Sequence, residues 1–70
     1  MGFAPIVVHH PSQTGGRRVT VRGEILGLAQ DDWELLELLR EAGLPDAVAM
    51  LDDPAWVEWR GGRAHVWHAA

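Results

Sequence analysis

The sequence contains no cysteine, no lysine and no long apolar run. Without cysteine, the chain can form neither a disulfide nor a thiolate zinc site, so packing alone must stabilise its 70 residues. Its apolar runs are shorter than the roughly 18 residues that a membrane-spanning helix needs. Its start has no basic segment typical of a secretory signal, which leaves the cytoplasm as the expected location.

Size and composition exclude further classes of protein. The chain is 47% apolar and 23% charged, as in globular proteins, and we expect a single domain over residues 1–70. Its net charge of −4 argues against a surface dedicated to nucleic acid. The chain has no phosphate-binding loop, dinucleotide motif or pair of catalytic carboxylates. We therefore expect no small-molecule substrate, no cofactor and no catalytic residue in so small a chain.

Histidine is the one residue type that raises the question of a metal. Its four copies are His9, His10, His65 and His68. On a strand, residues an odd number apart point to opposite faces, whereas zinc needs three or four converging ligands. We therefore predict surface histidines and no metal site.

Apolar and polar residues alternate in the first part of the chain. With the β-branched residues, this pattern predicts strands at 5–10 and 17–29, separated by a loop of turn-forming residues. Gly23 interrupts the second strand and indicates a bulge or a close backbone approach. Beyond it the phase of the alternation is unclear, because Ile25, Leu26 and Leu28 do not keep one parity.

A helix is predicted at 31–42. Asp31 is a natural N-cap, and Glu34 follows it at the spacing of a capping box. Gly43 supplies the left-handed residue that often ends a helix.

A second helix and a hairpin complete the predicted fold. The helix spans 45–51, with Val48 and Leu51 facing inward, and the hairpin spans 55–68 around a Gly61-Gly62 turn. The order β-β-α-α-β-β describes a small α+β domain in which an antiparallel sheet packs on a helical layer. The predicted core comprises Val7, Val19, Val21, Leu35, Leu38, Leu39, Leu51, Val57, Trp59 and Val66.

The register of this hairpin places large and charged side chains on the face away from the core. Trp56 would lie opposite Trp67, and Arg60 opposite Arg63. A structural interpretation is a stabilising pair of Trp rings with Arg lying over it. A functional interpretation is a contact surface, because Trp and Arg dominate the energies of interfaces.

Charge is divided unevenly along the chain. Residues 30–53 hold eight of the ten acidic residues and one Arg, while the rest of the chain holds five Arg and two Glu. Helix caps and solvated helix faces attract acids in any case. We call the hairpin face that carries Trp56, Trp67, Arg60 and Arg63 the Arg/Trp face. If the strand at 17–29 lies beside the hairpin, its Arg residues share this face. The predicted partner-binding residues are Arg18, Arg22, Trp56, Arg60, Arg63, His65 and Trp67.

All six basic residues are Arg, which a GC-rich genome would explain and which also suits bidentate contacts. The stretches GRRVTVRGEILGLA (16–29) and LDDPAWVEWRGGR (51–63) resemble small uncharacterised proteins of GC-rich actinobacteria. The resemblance implies a cytoplasmic bacterial protein and brings no activity with it.

We predict a non-catalytic protein-interaction or regulatory module that binds a protein partner, or a second copy of itself, through the Arg/Trp sheet face. Trp33, Trp56 and Trp67 lie outside the apolar faces of their predicted elements, which favours a homodimer. The alternative is nucleic-acid binding by the same face, with single strands stacked on Trp. A winged-helix arrangement fits less well, because the helix at 45–51 is acidic and has no basic residue.

Overall fold

A computed structural model describes residues 4–44 and 47–68 of the chain. Its elements are β1 (Ile6–Pro11), β2 (Arg17–Val21), β3 (Glu24–Ala29), α1 (Asp32–Glu41), a 3-10 helix (Ala47–Met50) and β4 (Val57–Trp59). The strands form one sheet in the order β3-β2-β1-β4, and α1 packs on one of its faces. A small α+β architecture is therefore confirmed.

The sheet is mixed, so the prediction of an antiparallel sheet is only partly correct. β2 pairs antiparallel with both β1 and β3, whereas β4 runs parallel to β1. The chain leaves the sheet after β3, passes through α1 and the 3-10 helix, and returns beside β1 in the same direction. A long crossover of this kind is what a parallel pair requires.

A tight turn at Arg22 and Gly23 divides the strand predicted at 17–29 into β2 and β3. The φ angles of the two residues are 52° and 86°, and two positive values are what a type I′ hairpin turn demands. The bulge predicted at Gly23 is therefore wrong, since this glycine serves the turn.

The bulge lies further along, in β3. Val19 pairs with Gly27 and the next residue, Thr20, pairs with Ile25, so β3 carries one extra residue at this point. Because of the bulge, Ile25 and Leu28 project from the same face of the sheet although they are three residues apart. This extra residue is the physical reason why the alternation loses its phase after Gly23.

Helix α1 begins and ends as predicted. The Asp31 carboxylate accepts the backbone N–H of Glu34 at 2.8 Å. The Glu34 carboxylate in turn accepts the N–H of Gln30 at 2.7 Å, one residue before the N-cap. Gly43 follows the C-cap with a φ of 93°, the left-handed conformation expected of it.

The core lies between α1 and one face of the sheet. Its buried apolar residues are Ile6, Val8, Val19, Ala29, Leu35, Leu39, Ala47, Leu51, Val57 and Trp67. Five predicted core residues are among them, and Val7, Val21, Leu38 and Trp59 are half-buried. In β1, Ile6 and Val8 face the core in place of Val7, since a run of three apolar residues does not reveal which parity points inward.

The predicted second helix is a single 3-10 turn, and residues 45–46 lie outside the described residues. Leu51 is buried as expected, but Val48 is 69% exposed and Ala47 takes the inward position. The inward prediction for Val48 fails because one 3-10 turn does not follow the 3.6-residue periodicity on which that prediction rests.

In the described residues 55–68, no second strand follows β4, so the predicted hairpin is wrong. Val66, placed in the core by that hairpin, is 45% exposed. Gly61 has a φ of 70° and passes so close to β1 that a Cβ atom there would overlap the Cβ of His10 and lie 3.1 Å from its Cα. Gly61 therefore marks a close backbone approach, where the sequence suggested a hairpin turn.

We predict that Gly61→Ala destabilises the protein more than Gly15→Ala does. At Gly15, with a φ of 92° and no atom within 4 Å of an added Cβ, the cost is backbone strain alone, about 1–2 kcal/mol. Gly61→Ala adds the overlap with β1, which we expect to cost about 1–3 kcal/mol more. Urea denaturation of both variants measures the difference, and equal losses would contradict the close approach.

Candidate interaction surface

Arg17, the first residue of β2, is completely buried. Its guanidinium donates all five of its N–H groups to backbone carbonyl oxygens, and it donates to no carboxylate of a described residue. The acceptors belong to Val8, His9, Arg60, Arg63 and Val66. Burial lowers the pKa of Arg17 from its usual value, although a guanidinium in a protein stays protonated. Arg17 thus ties the chain after β4 to β1.

Two Trp rings enclose this guanidinium. Its Cζ atom lies 5.3 Å from the ring centroid of Trp59 and 6.0 Å from that of Trp67, and the two rings meet edge-to-face at 5.6 Å. Trp67 is buried, and its indole N–H donates to the Asp32 carboxylate at 2.7 Å. A Trp pair with Arg over it therefore exists, but Trp59 and Arg17 take the places that the sequence assigned to Trp56 and Arg60.

His65 closes the arrangement from the solvent side. Its Nδ1 lies 2.6 Å from an Asp32 oxygen and its Nε2 lies 2.6 Å from an Asp52 oxygen. Its hydrogen bonds to Asp52 and then to Asp32 raise the pKa of His65 above its ordinary value. The residue has a φ of 68°, and its ring tilts over Trp59 at a centroid distance of 5.1 Å.

We call these residues the C-terminal clasp: Arg17, Asp32, Asp52, Trp59, His65 and Trp67. The polar side chains of the clasp form hydrogen bonds with one another or with backbone carbonyl oxygens. The predicted placement of His65 and Trp67 on a sheet face with Arg60 is therefore wrong. It fails because it depends on the predicted hairpin at 55–68, which does not form. The clasp instead holds both side chains against the start of α1 and the start of the segment that follows the 3-10 helix.

No described helix packs on the second face of the sheet, where Gly16, in the loop before β2, lies beside the side chain of Leu28. Val19 and Gly27 point to the α1 side, where an added Cβ on Gly27 would lie 3.3 Å from Leu38. The opposite face, which we call the open sheet face, is formed by Val7, His9, Arg18, Thr20, Ile25, Leu28, Glu58 and Arg60. Ile25 is 66% and Leu28 is 51% exposed on it.

The open sheet face is mildly basic. Burial, followed by the charges of Arg60 and Arg18, lowers the pKa of His9, which therefore favours the neutral ring at pH 7. The His9 ring lies 3.1 Å from the Thr20 hydroxyl. Arg60 donates to Glu58 at 2.5 Å, and this bond raises the pKa of Arg60.

Of the predicted partner-binding residues, the structure brings Arg18 and Arg60 together on the open sheet face. Arg22 and Trp56 lie at one end of the sheet, where they line a cavity of about 140 Å³. Arg63 lies in the segment after β4, beside His10. The sequence analysis did not include Ile25 and Leu28 among the binding residues. The interrupted alternation of apolar and polar residues after Gly23 was the signal that could have placed them on one face.

Searches against protein-family models, curated proteins and solved structures find no match for this chain. Within residues 4–44 and 47–68, no helix is long and apolar enough to cross a membrane. In the same part of the chain, no group of three His, Asp or Glu side chains is placed to hold a metal ion.

We predict that Arg17→Met largely unfolds the protein. The substitution removes the side-chain donor from five carbonyl oxygens, of which those of Val8 and Arg63 still accept a backbone N–H. Each of the other three that is left buried without a partner costs about 1–3 kcal/mol. The sum is comparable with the roughly 4–10 kcal/mol that stabilises a domain of this size. The matched control is the exposed neighbour Arg18, whose replacement by Met should change the free energy of unfolding by less than about 0.5 kcal/mol. Equal urea midpoints for the two variants would contradict the role of Arg17.

We also predict that His65 makes stability depend on pH. Since its pKa is raised on folding, its contribution is complete below pH 6.5 and is lost as the pH rises through the folded-state value. His65→Asn keeps a residue that tolerates positive φ and removes this part of the profile. Because the group is over a third exposed, the loss should be about 1 kcal/mol or less. Parallel urea curves for both proteins from pH 5.5 to 9 test this, and an unchanged profile would contradict it.

Proposed function

We propose that this chain is a non-catalytic protein-interaction module whose binding surface is the open sheet face. The observation that carries the proposal is the pair of exposed apolar side chains, Ile25 and Leu28, beside Arg18 on a face that no described element covers. Because each side chain is half to two-thirds exposed, withdrawing it from water contributes about 1–2 kcal/mol, so a partner that covers both gains considerable affinity.

The charges of this surface favour an acidic partner. Arg18 is exposed on the face, and Arg60 lies across His9 from it with its charge only partly offset by Glu58. Arg is enriched in the residues that dominate binding energy, and a rim of one sign speeds encounter with a partner of the other. We therefore expect a partner that presents apolar side chains bordered by carboxylates.

Two further observations support a binding role without catalysis. The polar groups of the C-terminal clasp are occupied by one another and by backbone carbonyls, which makes them suited to holding the chain together. The cavity beside Trp56 and Arg22 is small, about 140 Å³, and the larger hollow of about 530 Å³ beside Arg22 and Glu24 is open to solvent, whereas ligand sites bury most of their ligand.

Nucleic-acid binding is the weaker candidate for the same surface. Sequence-tolerant binding of single strands relies on aromatic side chains that stack with the bases. Trp59 and Trp67 belong to the clasp, and Trp56 lies at the end of the sheet. Of the described residues, His9 is the one aromatic ring on the open sheet face, and it is half-buried.

We predict that Ile25→Asp weakens partner binding at least tenfold. The protein is immobilised, a partner is captured from a lysate of the source organism, identified and purified, and its Kd is then measured by titration. A tenfold loss corresponds to about 1.4 kcal/mol, within the roughly 1–2 kcal/mol expected from burying the exposed part of Ile25, and the new charge adds a desolvation cost. Chemical-shift mapping should place the perturbed amides on β2 and β3.

The matched control is Val48→Asp, which adds the same charge at a side chain of similar exposure on the 3-10 helix. Binding that is unaffected by Ile25→Asp, or weakened equally by both substitutions, would refute the proposal. So would preferential binding of an oligonucleotide whose affinity falls steeply with salt, with a log–log slope near −0.7 for each phosphate neutralised.

A further inference from the structure

Strand β3 is the longer edge of the sheet. It has six residues, whereas β4 at the opposite edge has three. Within residues 4–44 and 47–68, no backbone hydrogen bond joins Ile25 or Leu28 to any segment other than β2. A long edge strand with apolar side chains on an uncovered face is a site where another strand can pair.

The register of the β2–β3 hairpin shows which backbone groups face outward. The two-residue turn makes Val21 and Glu24 a hydrogen-bonded pair, so the next residue, Ile25, directs its N–H and C=O away from β2. Beyond the bulge at Gly27, Leu28 occupies the equivalent position opposite Arg18. The same two residues therefore present both exposed apolar side chains and outward backbone donors and acceptors.

We propose that two copies of the chain pair through β3, antiparallel about a two-fold axis, with Ile25 of one copy opposite Leu28 of the other. In this register the outward groups of Ile25 meet those of Leu28, and the two side chains become a cross-strand pair, twice by symmetry. The bulges of the two strands also face each other, so neither copy has to shift register across the interface.

Charge complementarity favours a second copy as the occupant. The register places Arg22, in the turn before β3, level with Asp31 of the second copy, at the acidic start of its α1. Glu24 falls level with an uncharged Ala29. Opposite charges across strands stabilise pairing and like charges oppose it, and these end positions bring no like charges together.

The inference rests on the proposed function, because it names the partner for the apolar side chains of the open sheet face. It goes further in specifying main-chain pairing, a second copy and a register. The two four-stranded sheets would become one eight-stranded sheet with both α1 helices on the same side.

Engineered cysteines test the register. The chain has none of its own, so Ile25→Cys and Leu28→Cys each introduce a single thiol. The Cα atoms of a hydrogen-bonded antiparallel pair are about 5.5 Å apart, within the 4.4–6.8 Å that a disulfide spans. Oxidation of an equimolar mixture of the two variants should give mainly the mixed dimer. Ile25→Cys alone should stay largely uncrosslinked, because its two copies are roughly 9 Å or more apart along the strands.

Sedimentation equilibrium from micromolar to millimolar concentration tests the association itself. We expect the mass to rise from 7.7 kDa towards twice that value. Ile25→Lys should shift the monomer–dimer midpoint at least tenfold to higher concentration, and Val48→Lys, at a similarly exposed side chain, should leave it within twofold. Circular dichroism confirms that both variants are folded, as their exposure leads us to expect.

A constant monomer mass overturns the inference, and so does a crosslink that Ile25→Cys forms alone as readily as the mixture. The two proposals fail separately. If the chain stays monomeric while Ile25→Asp still weakens a different partner, the proposed function stands without the dimer. If substitutions at Ile25 affect neither association nor partner binding, both are overturned.

Discussion

The saturated guanidinium of Arg17 is the interaction on which the rest of the structure depends. A charge without a counter-ion in a protein interior is costly unless hydrogen bonds replace its hydration, and five carbonyl oxygens with two flanking Trp rings do so here. Those carbonyls come from β1 and from the segment after β4, so satisfying Arg17 also determines the path of the chain from Arg60 to Val66. Trp67 then completes the core, which would otherwise be small for a chain without disulfides.

Two histidines respond to acid in opposite senses. His9 has a lowered pKa, so its contribution to stability is lost as the pH falls below 6.5, whereas that of His65 is lost as the pH rises above this value. One ring lies on the open sheet face and the other closes the clasp, so each reports on a different side of the sheet. Both contributions are therefore present around pH 6.5, where His9 favours its neutral form and His65 its protonated form.

Patterns in the sequence predicted the parts of the fold that depend on interactions between residues close together in the chain. The ends of α1 are determined by residues close to them in sequence, Asp31, Glu34 and Gly43, and the structure confirms these capping residues. The path after Trp59 depends on contacts of Arg17 with residues 43 to 49 positions away, which no window of sequence contains. The Gly61-Gly62 pair fits a turn and a close approach equally well, and only the position of His10 decides between them. For the candidate site, Arg18 and Arg60 could be placed on one surface, but its apolar part was hidden by the bulge at Gly27.

Three of the five acceptors of Arg17 lie 43 to 49 positions after it in the sequence, and this has a consequence for biosynthesis. A chain that grows from its N-terminus can form the β1-β2-β3 meander and α1 from residues close together in sequence, and such local contacts form fast. The carbonyls of Arg60, Arg63 and Val66 are made only after the whole of β1, β2, β3 and α1. Until then Arg17 must keep its hydration water, so the core cannot close before Val66 has been made. Folding of this domain should thus finish in a late step, after residues 60–66 have left the ribosome.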